Sequence, residues 1–254
     1  MAPAEHTMSS QYDHRRLDFA VPGGRGFVVL PAEPQRKQDM PWLWYAPTFV
    51  DGRVPLPSAL HDYYMKPLLA GGFAIAGVDV GESWGSPAGR AAFTAFHEHA
   101  TRQFHLAPKA CLFAQSRGGL MLYNWAVEHP DLVQCVGAIY PVCTFMPDRM
   151  DIIAAACGLT PEELARRGAE HSPLERPAPL AAARVPVLHL HGDVDAMVPL
   201  EAHSRPFIRR YRELGGPAEL IVIPGKGHEE VREYFEHPAL REFFLTQGES
   251  LSQH

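Results

Sequence analysis

The chain has 254 residues, enough for one α/β domain with a large core, so that neither a structural metal nor a disulfide framework is required. Hydrophobic residues make up 46% and charged residues 20%, the proportions of a globular protein, and the net charge of −6 offers no basic footprint for nucleic acid or an anionic membrane surface. No apolar run approaches the ~18 residues of a membrane span, and MAPAEHTMSSQYDHRRLDF lacks the basic-then-apolar order of a secretory signal. A cytoplasmic protein is expected. Cys111, Cys135, Cys143 and Cys157 have no metal-ligand spacing, and the first two sit in apolar stretches as small buried hydrophobes.

In chain order, the Gly-rich turn PGGRG leads into a strand at FVVLP (27–31), and PWLWYAP (41–47) is a second. PSALHDYYMKPLLAGG (57–72) reads as a helix that stops at a glycine pair, and FAIAGVDV (73–80) as a buried strand. SPAGRAAFTAFHEHATRQF (86–104) is a helix with Ser86 as N-cap and Pro87 at its first position. The strand ACLFA (110–114) runs into the helix RGGLMLYNWAVEH (117–129). VQCVGAIYP (133–141) and VPVLHLHG (185–192) are further strands. PFIRRYRELGG (206–216) is a helix, AELIVIPG (218–225) the last strand, and EEVREYFEHPALREFF (229–244) a last helix broken at Pro238.

Continuous apolar strands alternating with helices imply a mainly parallel sheet covered by helices on both faces. Residues 143–183 interrupt the rhythm. They carry a capping box, Thr160 with Glu163 around Pro161, and read as a small helical cap insertion within one domain spanning 1–254. In such a sheet a ligand crevice forms at the carboxyl ends of the strands.

Two serines compete for the chemistry. GESWG (81–85) matches G-x-S-x-G literally, whereas AQSRGG (114–119) departs from it at the first position. The pattern exists to build a sharp strand-to-helix turn with small residues two before and two after the serine. Ser116 meets that demand: Ala114 is small, Gly118 and Gly119 leave room, and a helix begins at once. After Ser83 the best helix start is Pro87, four residues too late, so Ser83 belongs to a loop. A serine nucleophile also needs a base, and the base an acid to hold its tautomer. HGDVDAMVP (191–199) and PGKGH (224–228) each follow a strand, so their aspartates and histidine converge with Ser116 at the same sheet end.

Together SRGG, HGDVDAMVP and GKGH resemble the α/β-hydrolase fold serine hydrolases, in the chain order Ser, Asp, His. The resemblance extends over most of the chain and is strongest to esterases and to prolyl-oligopeptidase-type hydrolases without their propeller domain. It implies Ser116 as nucleophile, His228 as base and Asp195 as acid, with Asp193 as the fallback. His97, Glu98 and His99 lack the spacing of a zinc site, His189 lies in a strand, and His191 supports or packs. The fold implies two oxyanion donors: the amide of Arg117 and one from the loop after PWLWYA. Where the family commonly has His-Gly, this chain has Ala46-Pro47, and proline offers no N–H. The matching donor is Thr48, with Phe49 as the alternative. The Arg117 side chain either pairs at the surface or reaches the oxyanion, as is thought for a local match in glucuronoyl esterases. Trp84 and Phe49 are expected at the substrate pocket, with Phe145 and Met146 on the opposite wall.

The expected activity is a carboxylesterase acting on a small-molecule ester through an acyl-enzyme, with no metal or organic cofactor and no nucleic-acid or membrane partner. Its rivals are a small peptidase or amidase and a non-catalytic binding protein of the same fold.

Overall fold

A computed structural model describes residues 6–36, 39–50 and 55–249; the first residues of the N-terminal segment considered above lie outside them. Nine strands form one sheet: β1 (His6–Gln11), β2 (His14–Val21), β3 (Gly24–Val29), β4 (Trp42–Ala46), β5 (Ala74–Asp79), β6 (Ala110–Gln115), β7 (Val133–Ile139), β8 (Val187–Gly192) and β9 (Ala218–Ile223). Their spatial order is β1-β2-β3-β5-β4-β6-β7-β8-β9. The first three are antiparallel to their neighbours, and β5, β4, β6, β7, β8 and β9 run parallel. The mainly parallel sheet expected from the apolar runs is present. The hairpin β1–β2 is an addition. Its turn residues Tyr12 and Asp13 both have positive φ (54° and 62°), a two-residue hairpin turn without the Asn-Gly signature that would announce it.

Alternation along the parallel strands fills two separate cores. In β4, Trp42, Trp44 and Ala46 face one side while Leu43 and Tyr45 face the other; in β6, Leu112 and Ala114 oppose Cys111 and Phe113. The first side is covered by α2 (Pro87–Phe104), α3 (Gly118–Ala126) and α8 (Ser204–Glu213), through Phe93, Phe96, Trp125 and Phe207. The second is covered by α1 (Asp62–Ala70), α9 (Arg232–Phe235) and α10 (Pro238–Glu249), through Leu68, Tyr234 and Phe244. Each large side chain so buried contributes roughly 1.5–3 kcal/mol, which is why these strands read as unbroken apolar runs. Trp42 and Trp44 stack with ring centroids 5.6 Å apart, and Trp44 meets Trp125 of α3 at 4.7 Å.

Between β7 and β8 the chain forms α4 (Met150–Cys157), α5 (Pro161–Arg166), α6 (Gly168–His171) and α7 (Ala178–Ala182). The Thr160 capping box forms as read, with Oγ1 accepting from Glu163 N at 3.2 Å and Glu163 Oε2 accepting from Thr160 N at 2.8 Å. This segment builds a third apolar cluster: Ile153, Ala154 and Leu164 pack with Leu120 of α3, Val142 and Val198. That cluster covers the outer side of α3, so all nine α3 residues are buried and not only one face. Among the described residues no helix is long and apolar enough to cross a membrane.

Gly137 in β7 lies directly under α10, where a Cβ would run into the Phe244 ring and the Leu240 methyl. Gly137→Ala should destabilise the fold by about 1–3 kcal/mol through overpacking. Chemical denaturation measures it, and an unchanged midpoint would mean that α10 does not hold this register.

Candidate active site

Strand β6 ends at Gln115 and α3 starts at Gly118, so Ser116 occupies the turn between them with φ 51°, unusual for a residue with a side chain. Backbone bonds clamp it. Its amide donates to Ile139 O at 3.1 Å, and its carbonyl accepts from Gly119 N and Val142 N, both at 2.9 Å. The two glycines of SRGG exist for packing. A Cβ at Gly118 would strike the Ala46 carbonyl oxygen, and one at Gly119 the Val142 backbone. The elbow helix therefore starts in van der Waals contact with the turns after β4 and β7.

Ser116 Oγ lies 2.9 Å from His228 Nε2, and His228 Nδ1 lies 2.8 Å from Asp195 Oδ2. The other Asp195 oxygen accepts the amides of Met197 at 3.0 Å and Val198 at 2.8 Å. Thus Nδ1–H donates to the carboxylate, and the unprotonated Nε2 faces the serine hydroxyl. Asp193 points elsewhere. Its Oδ1 accepts Gly225 N at 2.6 Å, pinning the loop after β9 to the loop after β8. Val194 N to Lys226 O at 3.2 Å completes that lacing, and the Tyr234 hydroxyl of α9 donates to Gly227 O at 3.0 Å, tying the loop after β9 to the following helix. Asp195 and His228 are held as one unit by bonds that neither one makes.

Burial opposes the charge of Asp195, but hydrogen bonds from His191, His228 and the Val198 amide outweigh it, and its pKa falls below the ordinary carboxylate value. His191 sits behind the acid. Its Nε2 is 2.7 Å from Val198 O and 3.5 Å from Asp195 Oδ2, while its Nδ1 is 2.8 Å from Ser204 Oγ. Burial also pushes the pKa of neighbouring His189 down to about 3, so that ring stays neutral between Ser204 Oγ and Tyr123 OH.

Ser83 lies in the loop between β5 and α2, and a Cβ on Gly89 would press on its own Cβ, so its side chain turns toward the start of α2. Ser86 caps that helix, accepting Gly89 N at 3.3 Å. Ser83 Oγ is buried without a hydrogen-bond partner among the described residues.

Of the two alternative oxyanion donors in the β4 loop, Phe49 has its amide committed to Leu56 O at 3.1 Å. Among the described residues, the amides of Thr48 and Arg117 meet no acceptor. Thr48 is buried, its hydroxyl donating to Tyr45 O at 2.9 Å. The contact between Gly118 and Ala46 brings these two backbone segments together.

Two hollows meet at Ser116, Arg117 and Met197. One, of about 280 Å³, is walled by Trp84, Val142, Met146 and Val198, with Glu82 and Arg149 also lining it. The other, of about 350 Å³, is lined by Pro47, Leu56, Gln115, Tyr140, His228 and Glu230. Trp84 thus lines the cleft. Phe145 does not, because the extended backbone at Met146 sends consecutive side chains to opposite sides. Met146 faces the hollow, and Phe145 turns toward Gly168. Phe49, expected at the pocket, is not among the residues lining either hollow; its ring lies beneath the Arg117 guanidinium carbon, 5.2 Å away. Arg117 Nε also pairs with Glu82 Oε2 at 2.7 Å, so the arginine is both ion-paired and part of the cleft. A larger hollow of about 720 Å³, beside Met40 and His105, lies at the opposite end of β4 from Ser116.

The model of the prolyl oligopeptidase family matches residues 90–245, which include Ser116, Asp195 and His228. The chain belongs to the prolyl oligopeptidase family. As a member of it, the protein has the α/β-hydrolase fold. It is similar to a Mycobacterium tuberculosis puromycin-hydrolyzing peptidase, with 16% identity and a TM-score of 0.74 over 97% of this chain and 41% of that one. It therefore spans about two fifths of that structure's length. An S-formylglutathione hydrolase from Agrobacterium tumefaciens is similar over nearly its whole length, with 14% identity, a TM-score of 0.70, and 96% and 98% of the two chains covered. Est1E from Butyrivibrio proteoclasticus gives 18% identity and a TM-score of 0.62, over 95% and 98% of the chains. No curated protein sequence matches significantly.

The depressed pKa of Asp195 has a stability consequence. An ionised acid held below its unfolded value of about 4 adds stability that is present above that pH and lost as pH falls from there toward the folded value. The melting-temperature gap between the protein and Asp195→Asn should be widest near neutrality and shrink below about pH 4. A gap constant from pH 7 to pH 3 would contradict an ionised Asp195.

Proposed function

We propose that the protein is a serine hydrolase, and specifically a carboxylesterase that works through an acyl-enzyme. The observation that carries this reading is the aligned series Ser116 Oγ, His228 Nε2, His228 Nδ1 and Asp195 Oδ2, with contacts of 2.9 and 2.8 Å. In the first step Ser116 Oγ attacks the carbonyl carbon while His228 Nε2 takes the hydroxyl proton, and Asp195 stabilises the imidazolium. The carbonyl oxygen becomes an oxyanion bound by the amides of Arg117 and Thr48. His228 returns the proton to the departing alkoxide. Water then adds to the acyl-enzyme by the same route and releases the acid.

Ester over amide rests on the leaving group, since an alkoxide departs more readily than an amine. On the oxyanion side, Pro47 has no N–H and the Phe49 amide is spent on Leu56, which leaves the Arg117 and Thr48 amides as the two donors. The second reading, a peptidase or amidase, is favoured by family membership and by the likeness to a puromycin-hydrolyzing peptidase. Hydrolysis of p-nitrophenyl esters without hydrolysis of aminoacyl p-nitroanilides would support the esterase; the reverse would favour the peptidase.

Ser116→Ala should lower kcat/KM by at least about 10⁴-fold and abolish labelling by a fluorophosphonate probe, whereas Ser83→Ala should stay within about threefold of the parent. Failure of the folded protein to react at Ser116 would sink the enzymatic reading. The two aspartates separate in the same assay. Asp195→Asn should cost about 10³–10⁴-fold, because the wrong imidazole tautomer is then favoured. Asp193→Asn should cost less than about tenfold, since it only loosens the loop pairing at Gly225.

A further inference from the structure

Tyr140 directly follows β7 and lines the 350 Å³ hollow together with Ser116, His228 and Glu230. Its backbone has φ 35°, and its ring centroid lies 4.2 Å from that of His228. Behind it stands a buried polar chain. Gln115 Nε2 is 3.3 Å from the Tyr140 hydroxyl, and Gln115 Oε1 is 2.6 Å from Tyr45 OH and 2.9 Å from His61 Nε2. The donors in this chain are assigned by elimination. Tyr45 is fully buried, and among the described residues its hydroxyl meets no acceptor other than Gln115 Oε1. That bond fixes the amide orientation, with Oε1 toward Tyr45 and His61 and Nε2 toward Tyr140. The His61 proton then belongs on Nε2, and His61 Nδ1, 3.2 Å from Ser58 N and 3.3 Å from Ser58 O, accepts from the Ser58 amide. The Tyr140 oxygen is therefore an acceptor in this chain.

The hydrogen of the Tyr140 hydroxyl is left over. Among the described residues it is given to no partner, and burial pushes the phenol pKa upward, so the hydrogen stays on the oxygen across the working pH range. A nearly buried donor with no acceptor of its own costs free energy until something accepts from it. The open side of Tyr140 is the hollow that also holds the nucleophile and the base.

We propose that Tyr140 is a specificity-determining residue, presenting its hydroxyl hydrogen to an acceptor oxygen of the substrate near the scissile bond. The preferred substrates are then esters carrying an ether, hydroxyl or carbonyl oxygen a few atoms from the reacting carbonyl. Their hydrocarbon isosteres leave the phenol unpaired and are turned over less well. Gln115, His61 and Tyr45 act as positioning residues, aiming the phenol through the amide. This inference rests on the hydrolase reading above.

Two isosteric pairs test it. p-Nitrophenyl methoxyacetate against p-nitrophenyl butyrate places the oxygen on the acyl side, and 2-methoxyethyl butyrate against butyl butyrate places it on the alcohol side. The measured quantity is the ratio of kcat/KM within each pair, compared between the parent protein and Tyr140→Phe. Intrinsic reactivity cancels between proteins, and loss of folded enzyme cancels within each preparation. Phenylalanine keeps the ring against His228. In Tyr140→Phe the preference for the ether member should fall by about tenfold in at least one pair, the fold-change of one lost hydrogen bond to an otherwise unpaired buried donor. Equal ratios in the parent and the variant for both pairs would overturn the proposal and leave Tyr140 as packing for His228. Failure to turn over all four esters, with Ser116 still reacting with a fluorophosphonate, would also overturn it. No turnover together with no labelling of Ser116 would instead remove the hydrolase reading, and this inference with it.

Discussion

The site depends on one close approach. The first turn of α3 lies against the Ala46 carbonyl at the end of β4, in space that only a glycine at position 118 leaves free. This contact forces the chain to reverse within Ser116 and Arg117, which puts Ser116 at positive φ and lifts its hydroxyl clear of the sheet. Backbone bonds to Ile139 and Val142 on the other side hold the reversal in place. Such strain persists only where the surroundings over-determine it. Here β4, β6 and β7 supply that constraint together. The same contact sets the Arg117 amide beside the turn that contains Thr48.

Asp195 and His228 are held by a different device. The loops after β8 and β9 are stitched to each other by Asp193 and by the Val194 and Lys226 backbones, so the geometry of Asp195 and His228 does not depend on their own hydrogen bond alone. This division of labour explains why two aspartates two residues apart have different surroundings. Asp193 is exposed and organises backbone; Asp195 is buried and accepts two amides and an imidazole. Behind Asp195, His191 is bonded to Ser204 Oγ and to Val198 O.

Arg117 joins the cleft to its surface. Glu82 neutralises the guanidinium and the Phe49 ring supports it, so a charge on the elbow helix is kept beside the nucleophile without being buried unpaired. Trp84, Val142 and Met146 wall the smaller hollow together with Glu82 and Arg149, and Gln115, Tyr140 and Glu230 line the larger one.

The parallel strands were legible because each is buried on both faces and so reads as an apolar run, and Ser116 because Ala114, Gly118 and Gly119 state their steric purpose in the order of the residues. The β1–β2 hairpin was not, since its strands carry exposed polar residues and its Tyr12-Asp13 turn uses positive φ without glycine. By itself the sequence determined the layered architecture, the strand-to-helix turn at Ser116 and the strand ends that carry Asp195 and His228, all of which are local patterns of size, polarity and period. Only the tertiary structure decided which aspartate meets His228, that Met146 and not Phe145 faces the cleft, and that Tyr140 stands beside the base with its oxygen already engaged by Gln115. Those outcomes depend on side-chain direction at the ends of separate strands, and that direction is set by contacts between residues as far apart in sequence as His61 and Gln115.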